Sequence, residues 1–66
     1  MNNKIRVARA EARMTQQQLA EAIGVSRQTI NAIESGKFVP STVLALKIAR
    51  EFGKAVEAIF QLEEED

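Results

Sequence analysis

This sequence predicts an all-α domain of five short helices, and three observations carry the expectation. Proline occurs once and glycine three times in 66 residues, with aromatics limited to Phe38, Phe52 and Phe60, so little in the composition favours strands. Apolar side chains recur three and four residues apart rather than alternating. The segment Thr15 to Gly36, TQQQLAEAIGVSRQTINAIESG, supplies start and stop signals for two helices joined by a tight turn.

Lys4 to Ala12 reads as the first helix, with Ile5, Ala8 and Ala12 inward and Arg6 and Arg13 outward. Arg9 falls one turn from Ile5, on the edge of the inward stripe. The second helix starts at Gln16. Thr15 is its N-cap and can close a capping box with Gln18, while Met14 and Leu19 flank the cap as a hydrophobic staple. Leu19 and Ile23 lie four apart on one face, and Ala20 is small enough for another helix to cross close by. Gly24 tolerates the positive φ of a helix terminus, and Val25 comes next as an apolar plug.

Ser26 caps the third helix, and Val25 with Ile30 repeats the staple. Ile30 and Ile33 form its buried stripe, which leaves Arg27, Gln28, Asn31 and Ala32 on the exposed face before Ser35 and Gly36 end it. Lys37 to Pro40 is a loop, and Ser41 can cap a fourth helix. Leu44, Ile48 and Phe52, with Ala45 and Ala49 beside them, make the core face of that helix, which Gly53 terminates. A last helix over Ala55 to Phe60 offers Val56, Ile59 and Phe60. Together with Leu62 these are more apolar surface than so small a domain hides, which makes them the expected homodimer interface; plain core is the alternative.

The apolar set Leu19, Ile23, Val25, Ile30 and Ile33, with Ala20 and Gly24 in register, resembles the helix-turn-helix of the Cro/CI-type (XRE-like) regulators. The segments RQTINAIESGK, Pro40-Ser41, ALKIA and EAIFQ extend the resemblance over nearly the whole chain. They are similar to the very small members of the family, of the kind that represses a bacterial cytolysin operon. The resemblance implies a compact five-helix Cro/CI repressor-like domain with the helix-turn-helix at 16–35, and leaves open a minimal β element built from the two tails. It also implies a homodimer, and an ion pair between Arg9 and a glutamate of the third helix, here Glu34. Such a pair can be bidentate and would lock the first helix to the third.

Composition bounds the rest. A chain of this length makes one domain with a core near the lower limit for independent folding. It has no cysteine and no histidine, which removes disulfides and the common transition-metal ligands, and no cofactor is expected. Without His, Cys or Tyr, paired carboxylates in a cleft or a Gly-rich phosphate loop, the usual enzyme arrangements are missing. MNNKIRVARA lacks the apolar core of a signal peptide and no run is long enough to span a bilayer, so the expected compartment is the cytoplasm, at the nucleoid. No second domain is expected, and with it no small-molecule effector.

A formal net charge of zero averages two opposite halves. Residues 1–50 hold eight bases against three acids, and residues 51–66 hold six acids against Lys54 alone. A basic face and an acidic back fit a polyanion partner. The acidic stretch 63–66 reads as a frayed, solubilising tail.

A helix pair of this spacing places its second helix in the major groove of double-stranded DNA, with the first resting on the backbone. Gln28 can bond adenine N6 and N7, Arg27 can bond guanine O6 and N7, and Asn31, one turn on, can reach an adjacent base. Arg27 is equally suited to a phosphate, and Ala32 reads as a helix former. Phosphate contacts are expected from Gln16 and the free amides beside it, from Thr29 and from Lys37. Lys47 and Arg50 read as solvated charges. The leading expectation is a homodimeric repressor on an inverted repeat. The alternative, from another class, is an antitoxin or controller whose main partner is a protein, held through the last helix and the acidic tail.

Overall fold

Side-chain caps start the three central helices of this protein. The computed structural model describes residues 1–66 and runs β1 (Asn2–Asn3), α1 (Ile5–Ala12), α2 (Gln16–Ile23), α3 (Arg27–Glu34), α4 (Thr42–Phe52), α5 (Val56–Ile59) and β2 (Phe60–Gln61). At α2 the capping box is complete: Thr15 Oγ1 accepts from the Gln18 amide at 3.0 Å, and Gln18 Oε1 accepts from the Thr15 amide at 2.9 Å. Ser26 and Ser41 do half of this for α3 and α4, accepting from the Thr29 amide at 3.2 Å and the Leu44 amide at 3.1 Å.

The stops are backbone devices. Gly24 sits at φ +77, and the Val25 amide reaches back to the Ala20 carbonyl at 3.0 Å. A Cβ at Gly24 would meet nothing within 4 Å, so glycine is needed there for its dihedral and not for space. Arg13 ends α1 in the same left-handed region, φ 55, although it carries a side chain. The turn it makes leaves Ala12 exposed, where helical periodicity alone points it inward.

Six large side chains are closed off almost completely: Ile5, Leu19, Ile30, Ile33, Ile48 and Ile59. Each contributes about 1.5–3 kcal/mol by leaving water. Ala8, Ala20 and Ala49 are buried among them, and Met14, Val25, Leu44, Phe52 and Val56 pack partly buried against this core. The helix-turn-helix is thus held from behind, α2 against both α3 and α4.

The tails meet. β1 pairs antiparallel with β2 in the register Asn2↔Gln61 and Asn3↔Phe60. The ribbon is two residues a side, and Asn3 fastens it to the helices: its Nδ2 donates to the Ile33 carbonyl at 2.8 Å and its Oδ1 accepts from the Ile5 amide at 3.3 Å. Forming β2 shortens the last helix to Val56–Ile59, with Ala55 as its extended N-cap and Phe60 already in strand. The acidic tail is not frayed either. Glu63 and Asp66 hold the Met1 ammonium at 3.2 and 3.0 Å, and Asp66 also accepts from the Glu63 amide at 2.8 Å.

This closure changes the expected dimer surface. Ile59 and Phe60 are 1% and 7% exposed within a single protomer, so they belong to its own core. Val56 is half-buried, and only Leu62 stands clear of the fold.

Candidate nucleic-acid interface

α3 turns Ile30 and Ile33 into the core, which directs Arg27, Gln28 and Asn31 to solvent, all three exposed. Neither Arg27 nor Gln28 makes a side-chain hydrogen bond or ion pair within the chain, so both polar ends are free to meet a ligand. Asn31 is partly engaged: Gln16 Nε2, at the start of α2, donates to Asn31 Oδ1 at 3.3 Å. That bond uses one lone pair of the Asn31 oxygen and leaves the second lone pair and both amide protons free. It also joins the first turn of α2 to the exposed face of α3.

The other sequence-derived candidates separate. Lys37, exposed in the loop, comes directly after α3, its amide bonded to the Ala32 carbonyl at 2.9 Å. Thr29 is half-buried and shares a 3.0 Å contact between its hydroxyl and that of Ser26, so it serves the cap of α3 first. Ala32, expected on the exposed face, is half-buried, and its carbonyl accepts from the Lys37 and Phe38 amides of that loop.

Sequence reasoning passes over Arg13. Its left-handed backbone carries its side chain into an open notch with Arg27, Gln16 and Gln17, around the amino terminus of α2. The two uncapped amides at Gln16 and Gln17 and the side chains of Arg13 and Arg27 border it on one side of the molecule. The left-handed turn at a non-glycine residue is what brings Arg13 there, and no residue pattern announces it.

Behind this face Arg9 and Glu34 form a fork. Arg9 Nε meets Glu34 Oε2 at 2.7 Å and Nη2 meets Oε1 at 3.0 Å, while Nη1 donates to the Met14 carbonyl at 3.0 Å. The Glu34 side chain is 1% exposed and that of Arg9 15%. Hydrogen bonding to Glu34 holds the Arg9 guanidinium above even its usual high pKa. Arg6, at 3.6 Å from Glu34 and 78% exposed, adds little. The fork fixes the carboxyl end of α3 to α1, and its Met14 bond fixes the turn leading into α2.

Two helices joined through Gly24, an exposed polar face on the second and a charged lock behind it define a helix-turn-helix regulator. Residues 5–59 match the helix-turn-helix family model, and the chain belongs to that family, among its XRE-like transcriptional regulators, which are not enzymes. It is 52% identical over 66 residues to an HTH-type transcriptional regulator of Methanocaldococcus jannaschii and 48% identical over 66 residues to the HTH-type transcriptional regulator YgzD of Bacillus subtilis, in both cases over 100% of each chain. A crystal structure of a protein from Bacteroides fragilis proposed to bind DNA superposes with a TM-score of 0.80 at 33% identity, over 88% of this chain and 94% of that one. No helix is long and apolar enough to cross a membrane.

Proposed function

We propose that this DNA-binding regulator lays α3 in the major groove and reads base edges with Arg27, Gln28 and Asn31. The observation that carries the reading is the face itself: three neighbouring polar side chains, exposed on a helix whose other side buries Ile30 and Ile33. Gln28, free at both ends of its amide, matches the N6 and N7 of adenine, and Arg27 matches the O6 and N7 of guanine. Asn31, with one lone pair of its oxygen engaged by Gln16, keeps both amide protons and a second lone pair for an adjacent base. Gln16, Arg13 and the free α2 amides border one notch that suits a phosphate run, and Lys37 and Thr29 are the further phosphate contacts of this reading. Such contacts set position without reading sequence.

Two copies, related by a two-fold axis, occupy the half-sites of an inverted repeat, and occupancy of a promoter by so small a body represses by exclusion. Selection from a random duplex pool at physiological salt tests this directly. An enriched inverted repeat with half-site centres about one helical turn, roughly 34 Å, apart is the expected result. Recovery of no motif would sink sequence reading by α3. A single unrepeated half-site would keep the reading head and remove the dimer.

A further inference from the structure

The outside of α1 carries two different stripes. Val7 and Glu11 border a hollow with Lys54, whose Nζ lies 3.6 Å from Glu11 Oε1, so the acid on that side is matched by a base. Arg6, Ala10 and Arg13 are spaced four and three apart, which sets them on one other side of the helix. All three are exposed. The carboxylate within reach of this stripe is that of Glu34, which is 1% exposed and has both oxygens bonded to Arg9.

The basic stripe runs beside the recognition helix. Ala10 and Arg13 line the same notch as Arg27, the first residue of α3. Arg6 lies about two turns back along α1, where its Nε comes within 3.6 Å of Glu34, the last residue of α3. We propose that this stripe is a second DNA-contacting element, in which Arg6 and Arg13 follow the phosphate backbone alongside the base pairs that α3 reads. It rests on the docking of α3 in the major groove and adds a surface to it.

Charge, spacing and shape suit that occupant. Arg13 and Arg27 have no ion-pair partner in the chain, and the Arg6 contact is long and 78% exposed, so three guanidinium groups keep donors for an anion. Like charges held along one flank raise a positive potential that a polyanion relieves. From residue 6 to residue 13 a helix rises about 10 Å, and the phosphates of one strand recur about every 3.4 Å along a duplex, so the two arginines span about three phosphate steps. Ala10, short and exposed between them, leaves room for the strand to pass. No aromatic side chain lines the notch, so it offers no stacking platform to a single strand. Arg13 also stands at φ 55, a backbone that residues other than glycine seldom adopt, and no bond within the chain accounts for a charge at that turn.

The test is a salt titration of duplex binding by the wild-type chain, Arg6→Gln, Arg13→Gln and the two together. Lys54→Gln, on the opposite side of α1, removes one charge as a control. Far-UV circular dichroism verifies folding, and Arg6→Gln carries the test alone if Arg13→Gln disturbs its turn. The expected log–log slope falls by about 0.9 for each arginine and about 1.8 for the pair, with Lys54→Gln unmoved and the selected base preference kept in all four. Ethylation of single phosphates should then reveal positions that weaken the wild-type chain and not the double variant. Slopes equal to wild type in the arginine variants, or an equal fall in Lys54→Gln, would overturn the stripe and leave the docking of α3 standing. A base preference indifferent to Gln28→Ala would overturn that docking and the stripe with it.

Discussion

Glu34 shows how little freedom one residue has here. With its side chain 1% exposed and both oxygens bonded to Arg9, replacing it by alanine strands a guanidinium that is itself only 15% exposed. Breaking a fully buried pair costs about 3–5 kcal/mol, a large share of the roughly 5–15 kcal/mol that holds a small domain together. Glu34→Ala should therefore lower the urea midpoint sharply, and Arg9→Met with Glu34→Leu should recover most of the loss, because two apolar groups leave no charge unpaired. A double change no more stable than Glu34→Ala would show that the fork contributes more than mutual neutralisation. On the exposed face the expectation is about specificity. Gln28→Ala should cost about 1–3 kcal/mol on the selected site and level the preference at one base position, in competition titrations. Lys37→Ala should instead weaken all duplexes alike and reduce the log–log salt slope by about 0.9. The polar face is legible from the sequence because Ile30 and Ile33 set the rotation of α3. Arg13 and the Gln16 to Asn31 bond are not, since both depend on how one helix end is aimed at another.

Among the elements, the helix boundaries that rest on local chemistry are readable, and those that rest on distant partners are not. Thr15, Ser26 and Ser41 cap their own helices within three residues, so a short window contains the whole cause. β1 and β2 are two residues each and find one another across nearly the full chain, and no residue of Asn2–Asn3 or Phe60–Gln61 alternates long enough to signal a strand. The same blindness puts Ile59 and Phe60 on the surface, when strand pairing folds them inward. Gly24 offers a clean test at this scale. Since open space surrounds its missing Cβ, Gly24→Ala should lose only the backbone term for a left-handed residue, roughly 1–2 kcal/mol by chemical denaturation, with DNA affinity per folded molecule unchanged. A much larger loss of affinity would mean that the angle between α2 and α3 had shifted.

For the whole molecule, the closure of the tails responds to pH at both ends of the scale. The Asp66 carboxyl is held below the usual carboxylate range by the Glu63 amide first and the Met1 ammonium second. The ammonium is held above its ordinary value by Asp66 first and then by Glu63. The carboxylate half of the contact is complete above the ordinary Asp pKa and is lost as pH falls through the depressed one. The ammonium half is complete below the ordinary amine pKa and is lost as pH rises through the raised one. Protection of the Lys4 and Gln61 amides, taken relative to their intrinsic exchange rates, should thus be greatest between those limits and fall beyond either, with α2 and α3 unaffected. Exchange at these amides that tracks only intrinsic base catalysis across the range would show the closure to be idle.

That closure also makes the polypeptide almost a circle. The Met1 ammonium nitrogen lies 3.0 Å from the side-chain Oδ2 of Asp66, which sets the two end residues side by side. Joining residue 66 to residue 1 through a short Gly-containing linker would add a topological constraint that the folded state already satisfies. The unfolded chain alone would lose freedom, worth about 4 kcal/mol for a ring of this size in the chain-entropy picture, so a backbone-cyclised version should melt well above the linear protein.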